Sequence, residues 1–308
     1  PTLDYLIGRP GIPLGGITMI AGAYGSGKSS ICLGILAEMQ SRGGRAVIFD
    51  TEGRLDFTRA EKLGINLDEL IVAQPNTLED TFDGVKQMVH VAREEFEENE
   101  QIVIVLDGIA GAPLEKDLKG EKTGLGAQAI LIKRELRVIS NLVNRQRIGL
   151  VITSQPRQKI ELGGFGRPKK HWLGEDPLGH AAMTTIYLEQ KRYFGEDKAS
   201  PIGHTITATL IDTRIAGCKE KECQKCTRKD FRRDFDFYDA TGPDFFSSML
   251  DVLQEVKVIN YTNGWYKYKD MKTFRRDDFE ERVAEWPELL EDLGTILKGG
   301  YHPEAATT

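Results

Sequence analysis

Short, unbroken apolar runs alternate with segments whose apolar residues recur at helical spacing through the first 155 residues of this chain. The runs predict strands at 17–21, 46–50, 70–73, 102–107 and 149–154, and the helical spacing predicts helices at 78–98 and 127–145 with charged opposite faces. Strands that are apolar on both faces and separated by helices build a mostly parallel sheet with crossover connections. After residue 184 the texture changes. The segments 185–194 and 205–214 are longer, and the second alternates Ile206, Ala208 and Leu210 against Thr207, Thr209 and Ile211, which predicts an antiparallel extension of the sheet. A second shift falls near Gly242, followed by a helix at 245–255, an Asn-Gly turn at 263–264, an aromatic strand at 265–268 and a closing helix around 277–297. The expected organisation is an α/β core over residues 1–241 and a small α+β C-terminal domain over 242–308.

Composition narrows the class. The 308 residues suffice for one large core plus an appendage, and 40% hydrophobic with 29% charged residues excludes a disordered chain. No stretch approaches the roughly 20 apolar residues that span a bilayer, which leads us to expect a soluble protein. Four cysteines do not make a disulfide framework in a chain of this length, so a reducing cytoplasm is the expected compartment. A net charge of −6 argues against indiscriminate polyanion binding and leaves nucleic-acid contact to local basic segments. The chain begins with Pro1 rather than Met, which points to residues upstream.

Candidate chemistry starts with Gly22-Ala23-Tyr24-Gly25-Ser26-Gly27-Lys28-Ser29, continuing into Ser30, between a predicted strand and an apolar-periodic segment. This is a phosphate-binding loop: glycines let the backbone wrap a phosphate with N–H groups pointing inward, and the following helix adds its positive end. Lys28 would reach the β- and γ-phosphates of a nucleoside triphosphate and the Ser29 hydroxyl would be a Mg²⁺ ligand. Asp107 ends a buried strand, where open parallel sheets bind ligands, and would hold Mg²⁺ through water. Glu52 ends another run and would orient and deprotonate an attacking water. Gln155, after a third strand, is placed to sense the γ-phosphate, although a polar residue ending a strand is equally ordinary.

Together these residues resemble the RecA-type homologous-recombination ATPases, and most closely their compact bacteriophage versions. The likeness runs through the loop 22–29, Phe49-Asp50-Thr51-Glu52-Gly53-Arg54-Leu55-Asp56, Arg59 to Gly64, Gln74-Pro75, Asp107, Gly124-Leu125-Gly126-Ala127, Ser154-Gln155, Thr213-Arg214-Ile215-Ala216 and Asn263-Gly264-Trp265-Tyr266. It implies an ATP- and Mg²⁺-dependent recombinase that forms a filament on single-stranded DNA and pairs it with homologous duplex DNA. It also implies that Glu52 is the catalytic carboxylate, that Gln155 couples the γ-phosphate to DNA binding, that Asp56 contacts adenine with Arg59 nearby, and that Arg214 reaches the neighbouring subunit's nucleotide. One departure is that Asp212 stands where the family usually has the first of two lysines. Another is that the family's N-terminal docking helix would precede Leu3.

Two loops carry the expectation of DNA binding. The segment 156–178 offers Arg157, Lys159, Arg167, Lys169 and Lys170 with Ile160, Phe165 and Trp172 interleaved, a composition suited to phosphates and base faces. Residues 113–125, including Gly124 and Leu125, balance three lysines against three acids, so their role rests on the resemblance. Cys218, Cys223 and Cys226, in an insertion at 217–233, have the makings of a zinc site, with His204 a candidate fourth ligand; reduced thiols in a charged hairpin are the alternative. A hexameric helicase with a related core, or an ATP-switched DNA scaffold with little turnover, are the rival functions.

Overall fold

A computed structural model describes residues 1–95, 100–109, 111–124, 126–144, 146–158, 170–172, 181–195, 201–214 and 231–299. It divides into two compact units, Pro13–Gln190 on one hand and Pro1–Ile12 with Lys191–Thr308 on the other.

In the first unit the strands β1 (Gly16–Gly22), β2 (Arg45–Asp50), β3 (Leu70–Ala73), β4 (Ile102–Asp107) and β5 (Ile148–Ser154) match the predicted apolar runs to within a residue. All pair in parallel, in the order β1-β5-β4-β2-β3. Val47, Phe49, Ile104, Leu106, Leu150 and Ile152 meet Phe82, Val85 and Val89 of the helix Leu78–Glu94 and Ile132, Leu136 and Ile139 of the helix Ala127–Val143. Each such side chain, wholly withdrawn from water, contributes about 1.5–3 kcal/mol. Helix Lys28–Ser41 packs on β2 and β4 with Cys32 and Leu36 fully buried. Two short strands, β6 (Pro156–Gln158) and β7 (Lys170–Trp172), form a separate antiparallel ladder.

The strand β8 (Thr184–Phe194) corrects one expectation. Its first half pairs in parallel with β1, Thr18 opposite Thr184 and Gly22 opposite Leu188, so it continues the parallel sheet instead of beginning an antiparallel one. Thr184, Thr185 and Ile186 are buried, and nothing in their residue types announces the direction of the neighbouring strand.

In the second unit the antiparallel expectation is met by β9 (Gly203–Thr213), β10 (Phe231–Tyr238) and β11 (Gly242–Pro243), with Ile206 opposite Phe235. Helix Phe245–Glu255 forms as predicted, capped by the Asp244 carboxylate accepting from the Ser247 N–H at 2.9 Å. Strands β12 (Ile259–Thr262) and β13 (Trp265–Tyr268) close on the Asn263-Gly264 turn, both residues having positive φ. The single closing helix predicted at 277–297 is instead two, Phe279–Glu285 and Glu288–Gly299. The break falls at Trp286-Pro287, because proline removes a helix donor and drives its predecessor out of the α region; Trp286 sits at φ −124°, ψ 77°. Tyr5 of the short helix Thr2–Ile7 joins Met249, Leu253, Tyr268, Phe274 and Phe279 in this unit's core. The compact units thus part at 190/191, which is a different division from the sequence-based one at 241/242.

Candidate active site

The phosphate-binding loop is a turn between β1 and helix Lys28–Ser41. Gly25 and Gly27 take φ +76° and +83°, the left-handed region that admits glycine without strain. The Ser26 N–H and hydroxyl both donate to the Ala23 carbonyl, at 3.3 and 2.8 Å. Gly22 is required by space: a Cβ there would lie 2.4 Å from Ser26 Oγ and 2.6 Å from the Leu188 carbonyl. Lys28 is 8% exposed and its Nζ donates to the Ala23 carbonyl at 2.7 Å. Burial pushes its amine below the usual lysine range, while Asp107, Cys32 and Glu52 pull it part of the way back. Burial likewise pushes the Cys32 thiol well up, as expected of an inert core cysteine. Tyr24 and Ser29 are exposed and Ser30 is buried.

Asp107 ends β4 and receives the Thr153 hydroxyl on Oδ1 at 2.6 Å, which fixes the carboxylate in the manner of an outer-shell partner. Asp50 lies opposite it in register at the end of β2. Their environments differ. Asp50 is buried, and its Oδ2 accepts the Leu55 N–H at 2.9 Å and Gln74 Nε2 at 3.3 Å, so it holds the turn that follows β2.

On that turn, the Thr51 hydroxyl donates to the carbonyls of Gly108 (2.6 Å) and Asp107 (3.1 Å). Glu52 consequently lies against two glycines. A Cβ on Gly108, at φ +99°, would be 2.7 Å from Glu52 Oε1, and one on Gly111 would be 2.6 Å from Glu52 Cγ. Both carboxylate oxygens are engaged: Gln155 Nε2 donates to Oε1 at 3.3 Å and Arg54 Nη1 lies 3.3 Å from Oε2. The structure thus brings Lys28, Glu52, Asp107 and Gln155 to one edge of the sheet. Sequence reasoning missed the glycine socket, Thr51, Thr153 and Arg54; the glycine immediately after Asp107 was the available signal.

Other predicted residues stand elsewhere. Asp56 caps the helix Phe57–Lys62, accepting from the Arg59 N–H at 3.0 Å, and both lie on the partly exposed rim of that turn. Arg214 is exposed just beyond β9, in the second unit. In the segment 156–178 the backbone register pairs Pro156 with Trp172, Arg157 with His171 and Gln158 with Lys170, directly after Gln155. Lys159, Ile160, Phe165, Arg167 and Lys169 lie outside the described residues. The other loop contains the short helix Glu115–Leu118, with Asp117 receiving the Leu114 N–H at 3.0 Å and the Thr123 hydroxyl at 2.8 Å. With Lys122, Gly124, Leu131 and Arg134 it borders a cleft of about 230 Å³; Leu125 lies outside the described residues. So do Cys218, Cys223 and Cys226. His204 is buried with Nδ1 3.5 Å from Asp239 Oδ1, and among the described residues no group of three His, Cys, Asp or Glu is placed to hold a metal, so zinc finds no support.

A family profile described as the RecA N-terminal domain matches residues 1–216. The chain belongs to the RecA family. Proteins named RecA from Nitratiruptor sp. and Aquifex pyrophilus are similar to it, 27% identical over 300 residues and 29% over 299, covering 96% and 95% of this chain and 81% and 79% of their own. The RecA of Rhodopirellula baltica is 29% identical over 275 residues, 87% of this chain and 67% of its own. These relatives are bacterial, and the expected likeness to bacteriophage versions is not among them. Membership of the family makes the chain a RecA-type recombinase of DNA recombination and repair and a DNA-dependent ATPase. ATP with Mg²⁺, single-stranded DNA and self-assembly into a filament come with that membership. No described helix is long and apolar enough to cross a membrane.

Proposed function

We propose that the sheet edge bearing Lys28, Glu52, Asp107 and Gln155 hydrolyses ATP and uses the γ-phosphate to switch the affinity of the segment 156–178 for single-stranded DNA, which is then paired with homologous duplex DNA. The observation that carries this reading is the 3.3 Å hydrogen bond from Gln155 to Glu52, a link between the residue suited to activating water and the residue that leads directly into the β6–β7 ladder.

The loop residues fit a triphosphate. Gly25 and Gly27, at positive φ, shape a turn that would present backbone N–H groups to phosphate oxygens, and Lys28 exchanges the Ala23 carbonyl for a phosphate, which relieves the cost of its burial. Ser29 and Asp107 offer the hard oxygen donors that Mg²⁺ requires, and Mg²⁺ held there would neutralise charge on the β- and γ-phosphates. Glu52 accepts the proton of a water as its oxygen bonds to the γ-phosphorus and the bond from that phosphorus to the bridging oxygen of ADP breaks. Gln155 leaves Glu52 to donate to the γ-phosphate, and loses that partner when phosphate departs; the strand it begins carries the change to the DNA segment. Asp56 and Arg59 serve the adenine side, and Arg214 acts on a neighbouring subunit's nucleotide.

Family membership sets the helicase alternative aside, whereas the scaffold reading keeps one argument, the Asp212 departure. Steady-state ATP hydrolysis by the wild type and Glu52→Gln, each with and without single-stranded DNA, separates them. DNA-stimulated turnover in the wild type, lost in Glu52→Gln, is expected; ATP-dependent DNA binding without turnover in either protein would establish the scaffold.

A further inference from the structure

We propose that Arg54 is a positioning residue that latches the Glu52 carboxylate and thereby sets how slowly ATP is hydrolysed without DNA. The proposal rests on Glu52 being the water-activating group.

The two oxygens of Glu52 are held by different kinds of partner. Oε1 receives Gln155, which belongs to the DNA-linked segment, and Oε2 faces the Arg54 guanidinium at 3.3 Å, on the same short turn. Release of Gln155 toward a γ-phosphate therefore frees one oxygen and leaves the other paired. A guanidinium standing against that oxygen crowds the approach a water must use, so Glu52 is less available as a base while Arg54 holds it. Among the described residues, Lys28, at the start of its helix, is the other cation that interacts electrostatically with Glu52. Lys28 turns to phosphate in the proposed reaction, which leaves Arg54 as the cation dedicated to Glu52. The Arg54 side chain is 70% exposed against 25% for Glu52, so water screens the pair and it is weak. A weak pair suits this role, since a latch must open within each turnover. Gly53, at φ +63° and in open space where even a Cβ would meet nothing within 4 Å, lets the chain reverse between Glu52 and Arg54 without blocking the site.

The test is steady-state hydrolysis by Arg54→Ala, Arg54→Lys and the double variant Arg54→Ala/Glu52→Gln, with and without single-stranded DNA. An exposed pair of this kind holds a rate difference of about two- to fivefold. Arg54→Ala is accordingly expected to raise the DNA-free kcat by that factor with KM for ATP unchanged, Arg54→Lys to return part of the way, and the double variant to be inactive. Unchanged DNA-free turnover in Arg54→Ala would overturn the latch, as would a lower kcat with a raised KM, which would place Arg54 on ATP itself. Failure of the underlying reading looks different: Glu52→Gln would keep its turnover whatever Arg54 did. With its side chain mostly in solvent, Arg54 is replaceable without loss of fold, which thermal melting of each variant checks.

Discussion

Glu52 is held in place by what two glycines lack, and adding one methyl group tests that. In Gly108→Ala the new Cβ would lie 2.7 Å from Oε1 of Glu52 and 3.3 Å from its Cγ and Cδ. Ordinary contact begins near 3.4 Å, so the carboxylate must retreat by roughly 0.7 Å, and that retreat strains or breaks its hydrogen bond to Gln155. Misplacement by about 1 Å costs a positioned catalytic group about 100-fold, so kcat is expected to fall by about 10- to 100-fold while ATP still binds. The backbone adds a separate penalty, since φ +99° is foreign to alanine and costs about 1–2 kcal/mol. For a unit of this size that lowers Tm by about 2–8 °C. Gly111→Ala separates the two effects: its Cβ would lie 2.6 Å from Glu52 Cγ and 3.1 Å from Thr51 Oγ1, with no positive φ to strain. It is expected to lose comparable activity with a smaller fall in Tm. Time-resolved phosphate release, titration with a fluorescent nucleotide and thermal melting read the three quantities. Wild-type kcat in either variant would refute the socket.

Two further outcomes follow from buried charge. The folded chain binds the Lys28 proton less tightly than the unfolded chain, so the charged amine costs stability at neutral pH, and the cost fades as pH rises through the window between its lowered value and 10.5. Lys28→Met is therefore expected to abolish hydrolysis yet to melt above the wild type when both are assayed without nucleotide, by a margin that shrinks as pH climbs; a lower Tm at neutral pH would contradict this. Burial alone would raise the Glu135 carboxyl, but hydrogen bonds from Lys86 Nζ at 3.0 Å and Arg134 Nε at 2.8 Å hold it below the usual range. Its stabilisation is then complete above 4.5 and is lost as pH falls through the lowered folded value. Lys86→Met should destabilise by about 1–3 kcal/mol at neutral pH and flatten the acid loss in urea unfolding, and an unchanged acid profile would show that the pair carries none of it.

What was legible in the sequence was what short-range physics dictates. A strand apolar on both faces has no other place than a covered sheet, so the runs ending at Asp50, Asp107 and Ser154 could be placed to a residue. The glycine-rich turn at 22–29 was equally visible, because its tight geometry makes demands on eight consecutive residues. What stayed hidden depends on partners remote in sequence. The Thr51 hydroxyl reaches carbonyls 56 and 57 residues away, and the Glu52 socket exists only because β2 and β4 pair with Asp50 opposite Asp107. The direction of β8 is set by its neighbour β1. The break at Pro287 is a local signal, since proline removes a helix donor and restricts its predecessor, yet the single helix predicted at 277–297 runs across it.

Asp50 and Asp107 show how this edge of the sheet divides its work. They end adjacent parallel strands in register, so the same local pattern, an apolar run closed by aspartate, delivers two carboxylates side by side. Their fates are decided by the donors around them. Asp50 is buried and commits its Oδ2 to the Leu55 N–H and Gln74, while Asp107 keeps a half-exposed position with one oxygen oriented by Thr153. The consequence reaches the residues between. Thr51 is pinned to the end of β4 through Asp107 and Gly108, and Leu55 is pinned to the end of β2 through Asp50, so Glu52 and Arg54 ride on a span fixed at both ends. A backbone tethered in this way has little freedom to carry Glu52 in and out of reach of a phosphate. Switching must then fall to the side chains that hold the carboxylate: Gln155, which leads into the segment proposed to bind DNA, and Arg54, which does not.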